Sequence, residues 1–383
     1  LVDAVLFCFE VHQPIRLGRV RYFDENVTFW EEENLSVLSR VSEVCYRKTN
    51  ALFERTGTRG GFSISGVALD QLSHEGMGDV LDGFRKLSAS GNMEPIAETH
   101  YHSLSSLVAS SEFYEQVGMQ SAAVSDLFGV RPLTFTNTEL IFSSALVERL
   151  RPLGFRGVFA EGTRSLLDGR SPNRVYAQNG QKVLTRNFPM SDDVGFRFSD
   201  TSWSEYPLTA EKYAHWLQRS EGDLVVVYLD YETFGEHHKE DTGIFAFWER
   251  LVNELSERGI RMFTPSEALE LAEPSPLPPQ AGYTSWADQE KDLSAWLGND
   301  IQKEAFQAVY ELEAEVKNQA DPEILRTWRV LTESDHLYYC STKKDASGGV
   351  HLYFNPYKSP YIAYINLMNA VSVVRRSLGF SST

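Results

Sequence analysis

The chain opens on an apolar run over residues 5–11 that ends at His12. Further short apolar stretches follow at 62–65, 93–97, 133–136, 155–159, 183–185, 224–229 and 260–263. Each is of strand length, and the unbroken run at 224–229 is the mark of a strand buried on both faces. Between them, apolar residues recur at helical spacing over 79–90, 111–128, 140–150, 209–218 and 242–258. Gly91, Gly129 and Gly259 stand where left-handed caps close helices. The alternation predicts repeated βα units and hence a parallel sheet. Seven or eight units favour a closed or nearly closed barrel over an open sheet, and no Gly-x-Gly-x-x-Gly follows the first strand.

The pattern then changes. Residues 273–282 read Glu-Pro-Ser-Pro-Leu-Pro-Pro-Gln-Ala-Gly, and four prolines predict a stiff linker or surface loop. Helical spacing resumes over 288–318, 322–331 and 359–378. The expected organisation is an α/β barrel over 1–272, a proline-rich linker over 273–282 and a helical domain over 283–383.

Charge narrows the partners. A net charge of −17 repels nucleic acid and anionic membranes and suits a neutral substrate. No apolar run reaches the roughly 18 residues of a membrane span, and the apolar start lacks the basic flank of a signal peptide. Cys8, Cys45 and Cys340 lie far apart without metal-ligand spacing, which points to a reducing, cytoplasmic setting. The 7 Trp, 17 Tyr and 23 Phe can stack on sugar rings as well as fill a core.

In a βα barrel the reactive groups sit at the C-terminal strand ends. After the first strand comes Val11-His12-Gln13-Pro14. Beyond the third lie Glu94, Glu98, His100 and His102, after the fourth Asn137-Thr138-Glu139, and after the 224–229 run Asp230-Tyr231-Glu232. Glu139 precedes a predicted helix, whose positive end favours a charged carboxylate, as a nucleophile needs; it could equally cap that helix. Asp230 ends a buried strand, where desolvation holds a carboxyl protonated as a general acid; it could equally serve a structural ion pair. Two such carboxyls with different surroundings are what glycosidic bond cleavage requires. His12 suits a sugar hydroxyl or a satisfied core position. His237 and His238, joined in space by His12 and Asp230, offer the one set on which a metal-dependent deacetylase could be built.

Five stretches in order resemble glycoside hydrolase family 57: Val11-His12-Gln13-Pro14, Gly91-Asn92-Met93-Glu94, Thr134-Phe135-Thr136-Asn137-Thr138-Glu139-Leu140, Leu229-Asp230-Tyr231-Glu232-Thr233-Phe234-Gly235 and Glu333-Ser334-Asp335-His336-Leu337-Tyr338-Tyr339. Ser285-Trp286-Ala287 and Trp296-Leu297-Gly298-Asn299 resemble the family's α-amylase-like branch. The resemblance implies an incomplete (β/α)7 barrel, distorted and TIM-like, with a helical C-terminal region that folds back to the cleft. It implies a retaining mechanism on α-glucans such as maltodextrins, with no cofactor and no metal. Glu139 matches the nucleophile and Asp230 the general acid/base. His12, Glu94, Glu232, Trp286, Asp335 and Tyr338 fall at substrate-binding positions. Hydrolysis makes an α-amylase; transfer to a sugar makes a 4-α-glucanotransferase or branching enzyme; a non-catalytic glucan-binding relative is the remaining alternative.

Overall fold

The computed structural model describes residues 2–319 and 321–379. Among the described residues there are ten strands: β1 (Ala4–Val11), β2 (Gly60–Ile64), β3 (Met93–Ile96), β4 (Thr134–Phe135), β5 (Gly157–Glu161), β6 (Val175–Gln178), β7 (Gln181–Arg186), β8 (Val225–Asp230), β9 (Arg261–Met262) and β10 (Ser275–Pro276). One sheet has the order β3-β2-β1-β8, with β9 beside the start of β1. The other has the order β10-β6-β7-β5-β4. A parallel bridge between Ala97 and Phe135 joins β3 to β4. On the far side the Asn187 N–H reaches the Val226 carbonyl at 2.8 Å, between the end of β7 and β8. Seven parallel strands thus form a distorted ring, with the antiparallel β6 and the short β10 outside it.

Two-residue alternation decides what each strand shows to the lumen. Val5, Phe7, Phe9 and Val11 of β1 pack outward against Phe53, Tyr231 and Trp248. Ala4, Leu6 and Cys8 point to the lumen with Phe159, Leu184, Val226 and Tyr228. The same rule continues each lumen row one step further. Glu10 follows Cys8, and Asp230 follows Tyr228, directly opposite each other in the β1–β8 register. The apolar plug below them keeps water out of the barrel, so chemistry is confined to its upper rim.

The helical region does not stand apart. Its Trp296, Trp328, Leu331, Leu337, Leu367 and Val371 share one core with Leu17, Leu104 and Ile141, which lie in loops beyond β1, β3 and β4. Two antiparallel bridges, Ser103–Glu333 and Phe142–Thr284, stitch it to the rim. Local chemistry fixes its helices: Asp321 caps Pro322–Leu331 with Pro322 at the first position, and Ser359 caps Pro360–Ser377.

Several elements depart from the sequence pattern. The span 288–318 breaks into Ser294–Leu297, Asp300–Tyr310 and Glu313–Gln319, because Asn299 and Gln302 form a fresh capping box. Residues 273–282 are not a free linker, since β10 adds to β6. The helix expected over 140–150 starts only at Ser144, capped by Ser143. Helices Glu31–Val41, Arg47–Thr56 and Gly66–His74, and strand β6, were not anticipated.

Candidate active site

The rim row contains Glu10 at the end of β1, Ser63 beside it in β2, and Ile96 beside that in β3. The chain after β3 then brings Glu98 and His102 over the lumen. Ser63 donates its hydroxyl to Oε1 of Glu98, and His102 Nδ1 lies 3.0 Å from Oε2 of the same carboxyl. Oε1 of Glu10 is 3.2 Å from that nitrogen. The other ring nitrogen, Nε2, meets Oε1 of Glu139 at 3.1 Å. His12 stacks on the His102 ring with centroids 4.0 Å apart.

Glu139 sits in a tight turn over Thr138–Leu140 with φ of 58°, and Leu140 follows at 51°. Two consecutive left-handed residues that are not glycine store strain of about 1–3 kcal/mol each, which the surroundings must hold. Asn137 ties the turn by donating to the Ile141 carbonyl at 2.9 Å. The Phe142–Thr284 bridge holds it from the helical side. Trp286 completes the grip, donating its indole N–H to Oε2 of Glu139 at 2.6 Å and its backbone N–H to the Glu139 carbonyl at 3.2 Å. The dipole of a following helix plays no part, because that helix begins five residues later. Side-chain donors on both oxygens take its place.

Asp230 has different surroundings. Burial and the charge of Glu139 raise its carboxyl to about 7, with Arg186 and His102 opposing. Arg186 is itself anchored: it donates to the Tyr228 carbonyl at 2.8 Å, to Glu161 at 2.9 Å and to Asp192 at 2.7 Å, and lies over the Trp286 ring. Neither Arg186 nor Glu10 was singled out from sequence. The signal for Glu10 was present, a carboxylate inside an otherwise apolar buried strand.

Of the expected contact residues, the structure brings four around these carboxyls. His12 donates from Nε2 to Asp335 at 2.9 Å while Nδ1 accepts from Ser65 at 2.7 Å. Trp286 is on Glu139. Tyr338 stacks on His351, centroids 3.7 Å apart, and His351 bonds Asp288 at 2.9 Å. Burial first, and then the charges of Asp288, Glu139, Asp230 and Asp335, push the Tyr338 phenol up.

Two residues are placed elsewhere. Glu94 lies one lumen layer below, level with Cys8 and Gly61, where its carboxylate accepts from the backbone and hydroxyl of Ser266. The two-residue period explains this: the lumen position at rim height is Ile96, and Glu98 is the acid that reaches the cluster. Glu232 is 5% exposed and accepts from Tyr46 and, at 3.3 Å, from Gln13. It backs the site rather than lining it, and burial and Asp230 push it up to about 8.

Among the described residues, two triads bring carboxyl oxygens and a ring nitrogen within 4.8 Å of one another, Glu10–Glu98–His102 and His12–Glu333–Asp335. His237 and His238 join neither. His238 spends both nitrogens on Ser199 and the Gly195 carbonyl, so the histidine set of a deacetylase is not assembled. Among the described residues, no helix is long and apolar enough to cross a membrane.

The comparisons agree with this architecture. The family model for Glycosyl hydrolase family 57 matches residues 6–280. A protein of Methanocaldococcus jannaschii that carries the name "Putative alpha-amylase" is 38% identical over 387 residues, covering 95% of this chain and 82% of its own. Among solved structures, the branching enzyme from Pyrococcus horikoshii superposes with a TM-score of 0.70 at 16% identity, over 93% of this chain and 87% of that one. The α-amylase AmyC from Thermotoga maritima superposes at 0.64 with 13% identity, over 99% and 97%. These two likenesses are of fold. The family match and the 38% identity carry more, and with them the chain belongs to glycosyl hydrolase family 57.

Proposed function

We propose that the protein hydrolyses α-1,4-glucans by double displacement, with Glu139 as nucleophile and Asp230 as general acid/base. The observation that carries this reading is the contrast between the two carboxyls. Glu139 has a donor on each oxygen, while Asp230 is desolvated beside it and holds a proton to about pH 7. Such divergent surroundings separate the two roles.

Asp230 gives its proton to the leaving glycosidic oxygen as Glu139 bonds the anomeric carbon. Asp230, now a carboxylate, then takes a proton from water, whose oxygen displaces Glu139 and leaves the configuration retained. His12, Asp335, Trp286 and Tyr338 serve as sugar contacts, the rings by stacking and the His12–Asp335 pair by hydrogen bonds. No cofactor enters the balance.

A second reading, transfer to a sugar acceptor, draws support from the fold shared with a branching enzyme and with the 4-α-glucanotransferase of Thermococcus litoralis. The test is to incubate wild type and Glu139→Gln with maltoheptaose and separate the products. Shorter chains from wild type alone, released as the α-anomer, support hydrolysis with retention. Longer chains beside shorter ones move the assignment to transfer. An inert wild type on every α-glucan tried would discard both in favour of a glucan-binding relative.

A further inference from the structure

The Glu10–Glu98–His102 cluster lies behind Glu139, and the proposed reaction does not use it directly. Both nitrogens of His102 face carboxyl oxygens: Nδ1 is 3.0 Å from Glu98 and 3.2 Å from Glu10, and Nε2 is 3.1 Å from Glu139. A neutral imidazole has one N–H and would set a lone pair against a carboxylate on one side or the other. The imidazolium satisfies both directions, with Nδ1–H toward Glu98 and Nε2–H toward Glu139. The ring is 1% exposed, and Glu98 and Glu10 are 0% and 5% exposed, so water does not supply the missing donor.

The two acids are not equivalent. Glu98 accepts from Ser63 on one oxygen and faces His102 with the other. Glu10 has the imidazole at the longer distance, and Asp230 stands opposite it in the register. A buried charge belongs where donors are most numerous. Glu98 is therefore the carboxylate and Glu10 the neutral acid.

We propose that His102 is a positioning residue held permanently as an imidazolium, with Glu98 as its counter-charge and Glu10 carrying a proton, so that its Nε2–H fixes Oε1 of Glu139 for attack. The role rests on the reading of Glu139 as nucleophile; the charge state of the cluster does not. Burial works against the charged ring, yet an ionised Glu10 and the ring's hydrogen bonds to Glu139 and Glu98 push His102 well above the usual imidazole range. Burial first pushes Glu10 up, with His102 opposing and Glu98, Glu139 and Asp230 adding to it, so that once Glu10 is protonated the charged ring rests on Glu98 and Glu139. His12 also faces the ring, stacked on it, and Asp230 from the barrel and Glu333 and Asp335 from the helical side lie within its field.

The arrangement has a consequence for the reaction. When Glu139 becomes an ester it loses its negative charge, and Asp230 gains one by giving up its proton. The net charge of the cluster is unchanged, and a fixed cation between them stabilises the charge in either place. A histidine that lost its own proton would cancel that effect.

The test reads the ring directly. Protein labelled with nitrogen-15 in histidine is titrated by long-range proton–nitrogen spectroscopy, with the His102 signal assigned by its loss in His102→Gln. Expected in wild type is a doubly protonated His102 that persists well beyond the pH at which an ordinary histidine loses its proton. Glu98→Gln should lower its midpoint by about one unit or more, and Glu10→Gln should leave it in place. A wild-type ring that is neutral at about pH 7.5 overturns the proposal. A midpoint that falls in Glu10→Gln and not in Glu98→Gln overturns the division of charge. Should Glu98→Gln fail to fold, the wild-type titration still decides the imidazolium. In parallel, Glu98→Gln should lower kcat on maltoheptaose roughly tenfold with KM little changed. A proportional rise in KM instead would overturn the positioning role. The spectroscopy needs no turnover, so a protein inert on α-glucans would sink the functional reading alone.

Discussion

The indole N–H of Trp286 rests on Oε2 of Glu139 at 2.6 Å, joining residues 147 positions apart. The contact crosses from the helical region to the barrel rim, so the carboxylate is held in part by chain that does not belong to the barrel. Trp286→Phe keeps the ring beside Tyr228 and Arg186 and removes the donor. A hydrogen bond to a charged group contributes about 1.5–3 kcal/mol, so kcat on maltoheptaose should fall roughly 10–100-fold. Initial-rate kinetics should show most of that loss in kcat.

The alkaline side of the rate profile should report Asp230. Its carboxyl must carry the proton to act as acid, and burial and Glu139 hold it to about 7. Activity is therefore expected below that pH and should fall close to tenfold per unit above it. A profile flat to about pH 9 would reassign the acid.

Stability should also depend on pH through Glu232. Its folded-state value is raised to about 8, above that of an unfolded glutamate. The folded protein therefore holds a proton that the unfolded chain has released, and stability drops as pH rises through that window. Glu232→Gln keeps an acceptor for Tyr46 and removes the ionisation. Melting curves should show little difference between variant and wild type near pH 4. Near pH 9 the variant should be the more stable, by on the order of a few degrees.

Gly66 opens the helix that follows β2, and a Cβ there would fall 2.0 Å from Nδ1 of His100. That ring is buried and tied to Asp70 at 2.9 Å, so it has little room to move. Gly66→Ala should cost about 1–3 kcal/mol or more by overpacking, read by denaturant unfolding. The double variant Gly66→Ala/His100→Ala should recover part of the loss.

Much of the barrel was legible because its signals are local. The unbroken run before Asp230 and the glycines at 91, 129 and 259 are set by nearest neighbours, and the strands and caps fall within a residue or two of where they were expected. The motif around Asn137 to Glu139 was legible as well, but its conformation was not. The left-handed turn at Glu139 is imposed by Thr284 and Trp286 from far along the chain, and a helix start was the natural local reading. Glu94 and Glu98 show the same limit. Both follow from the third strand, and only the register against β2 decides which one reaches the rim. His102 has φ of 46°, a backbone state that no local pattern announces. Residues 14–61 hold two helices joined by a π turn at Ser42–Tyr46, which blurs the period that would have revealed them.

The proline-rich stretch has one more effect. In the second sheet β10 is the outermost strand, two residues long and ending in Pro276, with Pro278 and Pro279 close behind. A sheet edge with free N–H groups is a template on which another chain can add a strand. Here Pro276 has no N–H to offer a further strand, and Leu277 spends its own N–H on the Ala177 carbonyl of β6 at 2.8 Å, before two more prolines end the run. A segment that looks in sequence like a spacer thus terminates the sheet and guards the protein against edge-to-edge aggregation.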